Sequence, residues 1–273
     1  MLLCETDVGL ALVDTGLGTF DYSDPSRMGL VRHLMRPEMN EANSAIRQVE
    51  ELGFEAADVT HIVLTHMDFD HIGGLSDFPD AIVHTTADEY SAAVTDPDFL
   101  DRRRYRPRQW AHAPHFRTHE GRGDEWRFGL TAHGIDELPG IVMIPMPGHS
   151  RGLATIAVDA GERGLLIHAG DAVFDGSIVA ETSPLGQPLK RIGALRFMEN
   201  VVGRDRKAIK VNHSILRRLQ SEDGVVVIPA HDRRIFHDLK SAEWTTKRIV
   251  GPCRSRRRRP ILPSYVTRLR ALG

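Results

Sequence analysis

Apolar and polar positions fall into short blocks along this chain, and the blocks switch repeatedly between a two-residue and a helical period. Residues 5 to 16 contain Gly9-Leu10-Ala11-Leu12-Val13 and read as a hairpin around Asp7-Val8-Gly9. Residues 41 to 52 place Ala42, Ala45, Ile46, Val49 and Leu52 near one face, which predicts a helix with Gly53 as its C-terminal stop. The run His61-Ile62-Val63-Leu64-Thr65 reads as a buried strand ending at His66. Gly73-Gly74 then allows a tight turn, and a short helix follows His71. Ala81 to His84 form a further strand and Thr86 to Ala93 a further helix. Residues 204 to 220 form a late helix with Ile209, His213, Leu216 and Leu219 partly on one side. Strand and helix units alternate without an internal repeat, which argues for a layered α/β fold.

Metal-binding side chains recur at the ends of the predicted strands. The hexapeptide HMDFDH sets His66, Asp68, Asp70 and His71 within six residues. Alternation sends His66, Asp68 and Asp70 one way and leaves His71 on the turn, so the loop can feed two metal ions. Three later apolar runs end in the same manner. Ile141 to Ile144 lead to Pro147-Gly148-His149, Leu165 to Ile167 lead to His168-Ala169-Gly170-Asp171, and Val225 to Ile228 lead to Pro229-Ala230-His231. Core packing asks for no such residues there, and four strand ends in this order constitute a metal-ligand pattern.

With HxxxDH, GHS, GD and AHD in that order, preceded by the turn Asp14-Thr15-Gly16, residues 5 to 235 resemble the metallo-β-lactamase-fold metallo-hydrolases. The resemblance implies a four-layer αββα sandwich. It implies one metal held by His66, Asp68 and His149, a second held by Asp70, His71 and His231, and Asp171 bridging them. That fold usually begins with one or two further strands, so an exposed sheet edge is expected near the start of this chain. Asp14 and Asp58 stand at element ends, where they could orient metal-binding histidines or serve as turn and capping residues. His168 could orient a ligand or be a satisfied core histidine.

Asp68 departs from the family pattern. Most hydrolases of this kind have His there, and the flavodiiron branch has Glu. Two divalent ions (+4), three carboxylates (−3) and a bridging hydroxide (−1) sum to zero, whereas His at 68 would leave +1. An additional hard oxygen ligand moves preference from zinc toward iron or manganese, although four imidazoles still suit zinc. Zinc is the first expectation for the two divalent metal ions. The lactonase branch places a Tyr three residues after the bridging Asp, and that position is Phe174 here.

Residues 95 to 128 show little periodicity and are rich in Arg, His and Trp. They read as a lid-like excursion in which Arg104, Trp110 and His112, together with Phe174, contact substrate; a surface excursion or homodimer interface is the alternative. The run Arg254 to Pro260 belongs to a basic tail, 241–273, beyond a metallo-hydrolase domain at 1–240. That tail could bind an anionic surface or be solvated and mobile.

Composition narrows the partners. The chain has 273 residues, 41% apolar, with a formal net charge of −2. That is enough for one large core and gives no global reason to bind nucleic acid. No apolar run approaches the ~20 residues that cross a membrane, and Glu5 and Asp7 follow the start too closely for a signal peptide. Cys4 and Cys253 form no disulfide framework, so a cytoplasmic location is expected. The resulting expectation is a dinuclear hydrolase in which a metal-bridging hydroxide, with Asp70 orienting it and accepting its proton, attacks an ester, lactone or thioester of a small-molecule substrate. A diiron redox or oxygen-handling protein, motivated by Asp68, and a phosphodiesterase are the alternatives.

Overall fold

The computed structural model describes residues 1–241 and 268–271, and two six-stranded sheets packed face to face form its centre. In the first sheet β1 (Leu2–Thr6), β2 (Gly9–Val13), β3 (Val59–Val63), β4 (Ile82–Thr86) and β5 (His115–His119) lie side by side in chain order. In the second, the order across the sheet is β11 (Val225–Pro229), β10 (Leu165–Gly170), β9 (Ala154–Asp159), β8 (Ile141–Pro145), β7 (Thr131–Gly134) and β6 (Asp124–Glu125). A last strand, β12 (Arg268–Ala271), pairs antiparallel with β1.

Residue alternation builds the layers. Leu2, Cys4, Ala11, Val13 and Val63 face inward and meet Met143, Ile156, Val158, Leu166 and Ile228 of the opposite sheet. Leu3, Leu10, Leu12, Ile62 and Val83 face outward onto Ala45, Val49, Leu75 and Phe78. Ile167, Val225 and Val227 pack outward against Leu216 and Leu219 of the helix Arg206–Gln220. Two inner sheets with helices on both outer faces are the expected αββα sandwich. Cys4 is a fully buried free thiol, and burial alone pushes its pKa up to about 12.

Several local expectations need correction. The helix expected over 41–52 is two pieces, Glu41–Asn43 and Ala45–Glu51, because Ser44 leaves helical geometry and caps the second piece through Arg47 N–H. β3 ends at Val63, three residues before His66, because the Asp14 carboxylate takes the Thr65 N–H (2.7 Å) and hydroxyl (2.8 Å). The edge expected beside β1 is covered by β12, so part of 241–273 joins the first sheet. Arg254 to Pro260 and Cys253 lie outside the described residues. The stretch 95–128 is only partly an excursion: His115–His119 extends the first sheet and Asp124–Glu125 the second.

The inward face carries one polar feature that sequence reading passed over. His61, His84, His119 and His133 form a row from β3 to β7 across the gap between the sheets. Successive ring centroids are 5.4, 5.4 and 5.6 Å apart, and His84 Nδ1 lies 3.1 Å from His119 Nε2. Burial, then the neighbouring His119, His61 and Arg117, lower the His84 pKa to about 3. An unfolded histidine titrates near 6.5. Between those values the unfolded chain binds the extra proton, so this group makes the fold lose stability as pH falls from about 6.5 toward 3. His84→Gln should flatten the fall in urea midpoint between pH 7 and pH 5, measured with chelator present throughout; an equally steep fall in the variant would show that the acid sensitivity arises elsewhere.

Candidate metal centre

The candidate ligands follow the C-terminal ends of β3, β8, β10 and β11, which point the same way and so bring four distant segments to one rim of the sandwich. His66, Asp68, His149 and Asp171 converge there, beside a second group of Asp70, His71 and His231; within each group the potential ligand atoms lie within 4.8 Å of one another. Asp171 stands between the groups. Its Oδ2 is 3.2 Å from His149 Nε2 and 3.7 Å from His66 Nε2. Its Oδ1 is 3.0 Å from His231 Nε2 and 3.3 Å from His71 Nε2. His66, His71, His149 and Asp171 are buried, whereas Asp68, Asp70 and His231 border open space.

The hydrogen-bond inventory fits this donor set to divalent cations. Nε2 of His66, His71 and His231 and Oδ1 of Asp171 are buried and lie 3.0 to 3.3 Å from the nearest ligand atom, yet none of these contacts has the geometry of a hydrogen bond. Unpaired buried polar atoms are costly. Burial would raise the pKa values of Asp68 and Asp171, yet Arg104 with His66 and His149 holds the first carboxyl, and His231, His71 and His149 hold the second, well below the usual range. Burial would likewise lower His71 and His231, yet Asp171 in particular raises both. Surroundings that stabilise positive charge on His71 and His231 also stabilise a metal cation on the same nitrogens, whereas at His149 burial and then Arg104 lower the pKa.

Buried carboxylates hold the loops in place. Asp14 has the left-handed φ of 56°, which an Asp tolerates better than most residues, and its Oδ2 is 2.8 Å from His71 Nδ1. The ring is thereby fixed with Nε2 toward Asp171. Glu89, unremarked in the sequence, reaches three segments at once: Oε1 accepts from Met67 N–H (2.9 Å) and the Tyr105 hydroxyl (2.9 Å), and Oε2 accepts from the Ser150 hydroxyl (2.7 Å) and Gly152 N–H (3.0 Å). Glu199 accepts from Phe174 N–H at 2.9 Å and lies 3.1 Å from His213 Nε2. A glutamate in a short helix carries no pattern of its own, so only its four partners reveal it. Asp58 merely caps Glu55, and His168 meets Gly170 N–H.

Gly73 and Gly74 act differently from the expected turn. Gly73 has helical φ/ψ, and a Cβ on it would lie 2.0 Å from Asp21 Oδ2; one on Gly18 would lie 2.3 Å from Gly73 O. Their role is close approach of two backbones beside the His71 helix.

A cavity of about 390 Å³ opens on the candidate ligands, with Asp68, Asp70, His149, Asp171 and Phe174 in its floor. Val31, Met35, Phe69, Leu100 and Val201 form much of its apolar wall. Phe174 is almost fully buried, its ring centroid 4.9 Å from that of His231 and 5.6 Å from that of His149. Of the side chains expected to contact substrate, Phe174 and Arg104 line this cavity, but Trp110 and His112 do not. Pro107–Gln109 turns the chain so that Gln109 bonds Asp21 and Phe69, Trp110 packs on the outer core of the first sheet, and His112 is exposed. Arg104 is committed to the protein itself. Its Nε and Nη2 meet Asp68 Oδ1 and Oδ2 at 2.6 and 2.5 Å, and its Nη1 donates to His149 O and Val202 O at 2.8 and 2.9 Å.

A family model described as the metallo-beta-lactamase superfamily matches residues 1–231. A Mycobacterium tuberculosis protein named probable metallo-hydrolase is 42% identical over 239 residues, covering 86% of this chain and 75% of the relative. An N-acyl homoserine lactonase of Bacillus thuringiensis is 24% identical over 217 residues, covering 78% of this chain and 80% of that protein. The solved structure of a quorum-quenching N-acyl homoserine lactone lactonase superposes with a TM-score of 0.60 at 20% identity, covering 85% of this chain and 78% of that one, and so shares the fold.

Glu89→Ala strands four donors in the protein interior, each worth about 1–3 kcal/mol when buried unpaired. We expect the variant to lose several kcal/mol in chemical denaturation and to retain less metal per chain by elemental analysis than the wild type. Wild-type metal content and an unshifted denaturation midpoint would remove Glu89 from this role.

Proposed function

The chain belongs to the metallo-beta-lactamase superfamily and is a metal-dependent hydrolase, and from that premise we propose that it binds two divalent ions, zinc by preference, and cleaves an ester, lactone or thioester whose acyl part is apolar. The observation that carries this reading is Asp171, one oxygen toward each ligand group, on the floor of an apolar-walled cavity.

In the proposed assignment His66, Asp68 and His149 hold one ion, Asp70, His71 and His231 the other, and Asp171 serves both. Such a metal pair supplies a water that ionises near neutral pH and a Lewis acid for the carbonyl oxygen. The protein groups supply the rest. Asp70, half-buried and 3.7 Å from His231, borders the cavity, where it orients the attacking water and accepts its proton. Asp14 keeps His71 in one tautomer by accepting from Nδ1. Phe174 has no hydroxyl to offer a substrate oxygen; its ring shields the histidines from water and packs against the acyl group. Val31, Met35, Leu100 and Val201 continue that surface outward, and the same segments expose Leu34, Phe99 and Phe197. Arg103, Arg106 and Arg204 also line the cavity, but Arg106 is bonded to the Met28, Arg103 and Tyr105 carbonyls and Arg204 is paired with Asp98 and Asp101. The apolar wall therefore carries the preference, and an acyl chain gains about 0.8 kcal/mol per buried CH₂.

The small-molecule lactones named for the Bacillus relatives suggest the first panel: lactones, thioesters and aryl esters of graded acyl length, with bis-aryl phosphodiesters alongside. kcat/KM is expected to rise by up to about fourfold per added CH₂ until the cavity is filled, and Asp70→Asn should abolish turnover of every substrate while the fold survives by circular dichroism. Turnover confined to phosphodiesters, or acyl turnover indifferent to chain length, would defeat the proposal.

A further inference from the structure

Among the described residues, Arg104 is the one Arg or Lys placed directly on a candidate ligand. It ends the helix Phe99–Arg104, and its guanidinium forks onto both oxygens of Asp68 (2.6 and 2.5 Å). The remaining terminal nitrogen donates to His149 O, in the segment of another candidate ligand, and to Val202 O, the last carbonyl of the helix Gly193–Val202. A cation suits a helix C-terminus on electrostatic grounds, so this contact also steadies the guanidinium. Four hydrogen bonds to protein leave it poorly disposed to hold substrate.

Two consequences follow for Asp68. A forked guanidinium fixes the carboxylate plane and uses one lone pair of each oxygen, leaving Oδ2 turned toward His149 Nε2 at 3.0 Å and His66 Nε2 at 3.3 Å. The guanidinium also adds +1 beside a group that already contains Asp68, Asp70 and Asp171. An oxygen shared with Arg donates less charge to a metal, and ions that rely on anionic oxygen lose most by this, whereas zinc keeps its imidazoles.

We propose that Arg104 is a positioning and charge-setting residue: paired with Asp68, it offsets the additional carboxylate and turns the site toward zinc over manganese or iron. The proposal rests on the metal-centre reading above. It reverses the metal preference that Asp68 alone would imply, and with it the motive for a diiron protein.

The test uses the full chain as wild type, R104M, R104K, D68H and D68H/R104M. Each is stripped, dialysed against equimolar zinc and manganese, and measured for bound metal by elemental analysis and for fold by circular dichroism and thermal midpoint. R104M should lower the bound zinc-to-manganese ratio on the order of tenfold, the lower range for partners of metal ligands, with R104K falling between R104M and wild type because it keeps the charge but loses the fork. D68H faces the guanidinium with an imidazole and should lose metal, and D68H/R104M should recover it by about tenfold or more. An unchanged ratio in folded R104M, R104K as impaired as R104M, or a double variant no better than D68H would overturn the proposal. If R104M fails to fold, the comparison of D68H with the double variant decides. A wild type that binds neither ion would instead overturn the metal-centre reading, and the Arg104 assignment with it.

Discussion

The geometry of the rim depends on one carboxylate, Asp171, buried between two sets of imidazoles. Each of its oxygens faces a pair of histidines at 3.0 to 3.7 Å, and none of those four rings shares a strand with it. A buried carboxylate is tolerated only where positive charge or donors surround it. Here the surrounding groups are imidazoles from three other segments, so the segments must meet for the charge to be accommodated. The two sheets make the meeting possible. β10 runs parallel to β11, β2 runs parallel to β3, and the polar ends of these strands emerge along one edge while their apolar faces close the core.

Loops bearing so many titratable groups would not hold a fixed geometry unaided, and the supports are again carboxylates. Asp14, Glu89 and Glu199 are each buried, and each accepts a backbone N–H together with a side-chain donor or imidazole. Glu89 is the most connected. Its partners lie in the Met67, Tyr105 and Ser150–Gly152 segments, next to Asp68, Arg104 and His149 respectively. Glycines allow the same loops to close: a Cβ on Gly152 would sit 2.0 Å from Glu89 N. The support and the ligands therefore form one unit, and damage to the support reaches the ligands without touching them.

Arg104 shows how tertiary contacts reassign a residue. Among the arginines of 102 to 108 it looks like one more cation for an anionic substrate. In the fold it is half-buried and spent on Asp68 and two carbonyls. The cavity it borders has apolar side chains from Val31, Met35, Leu100 and Val201 in its wall, with Arg103, Arg106 and Arg204 beside them.

The layered architecture and the seven candidate ligands were legible in the sequence because both are local. Alternation within a strand needs only neighbouring residues, and ligand types after Val63, Ile144, Ile167 and Ile228 stand out against apolar runs. Element ends were less legible, since Asp14 stops β3 and Ser44 splits a helix through contacts that no periodicity records. Trp110 and His112 look like binding residues by type, but a single turn at Pro107–Gln109 directs one onto the outer core and the other to the surface. What only the tertiary structure decided is who partners whom. Glu89 with its four donors, Asp171 with its four rings, and Arg104 with Asp68 join residues from 16 to 105 positions apart. Charge and hydrogen bonding act through a few ångströms of space, and sequence distance carries no record of that proximity.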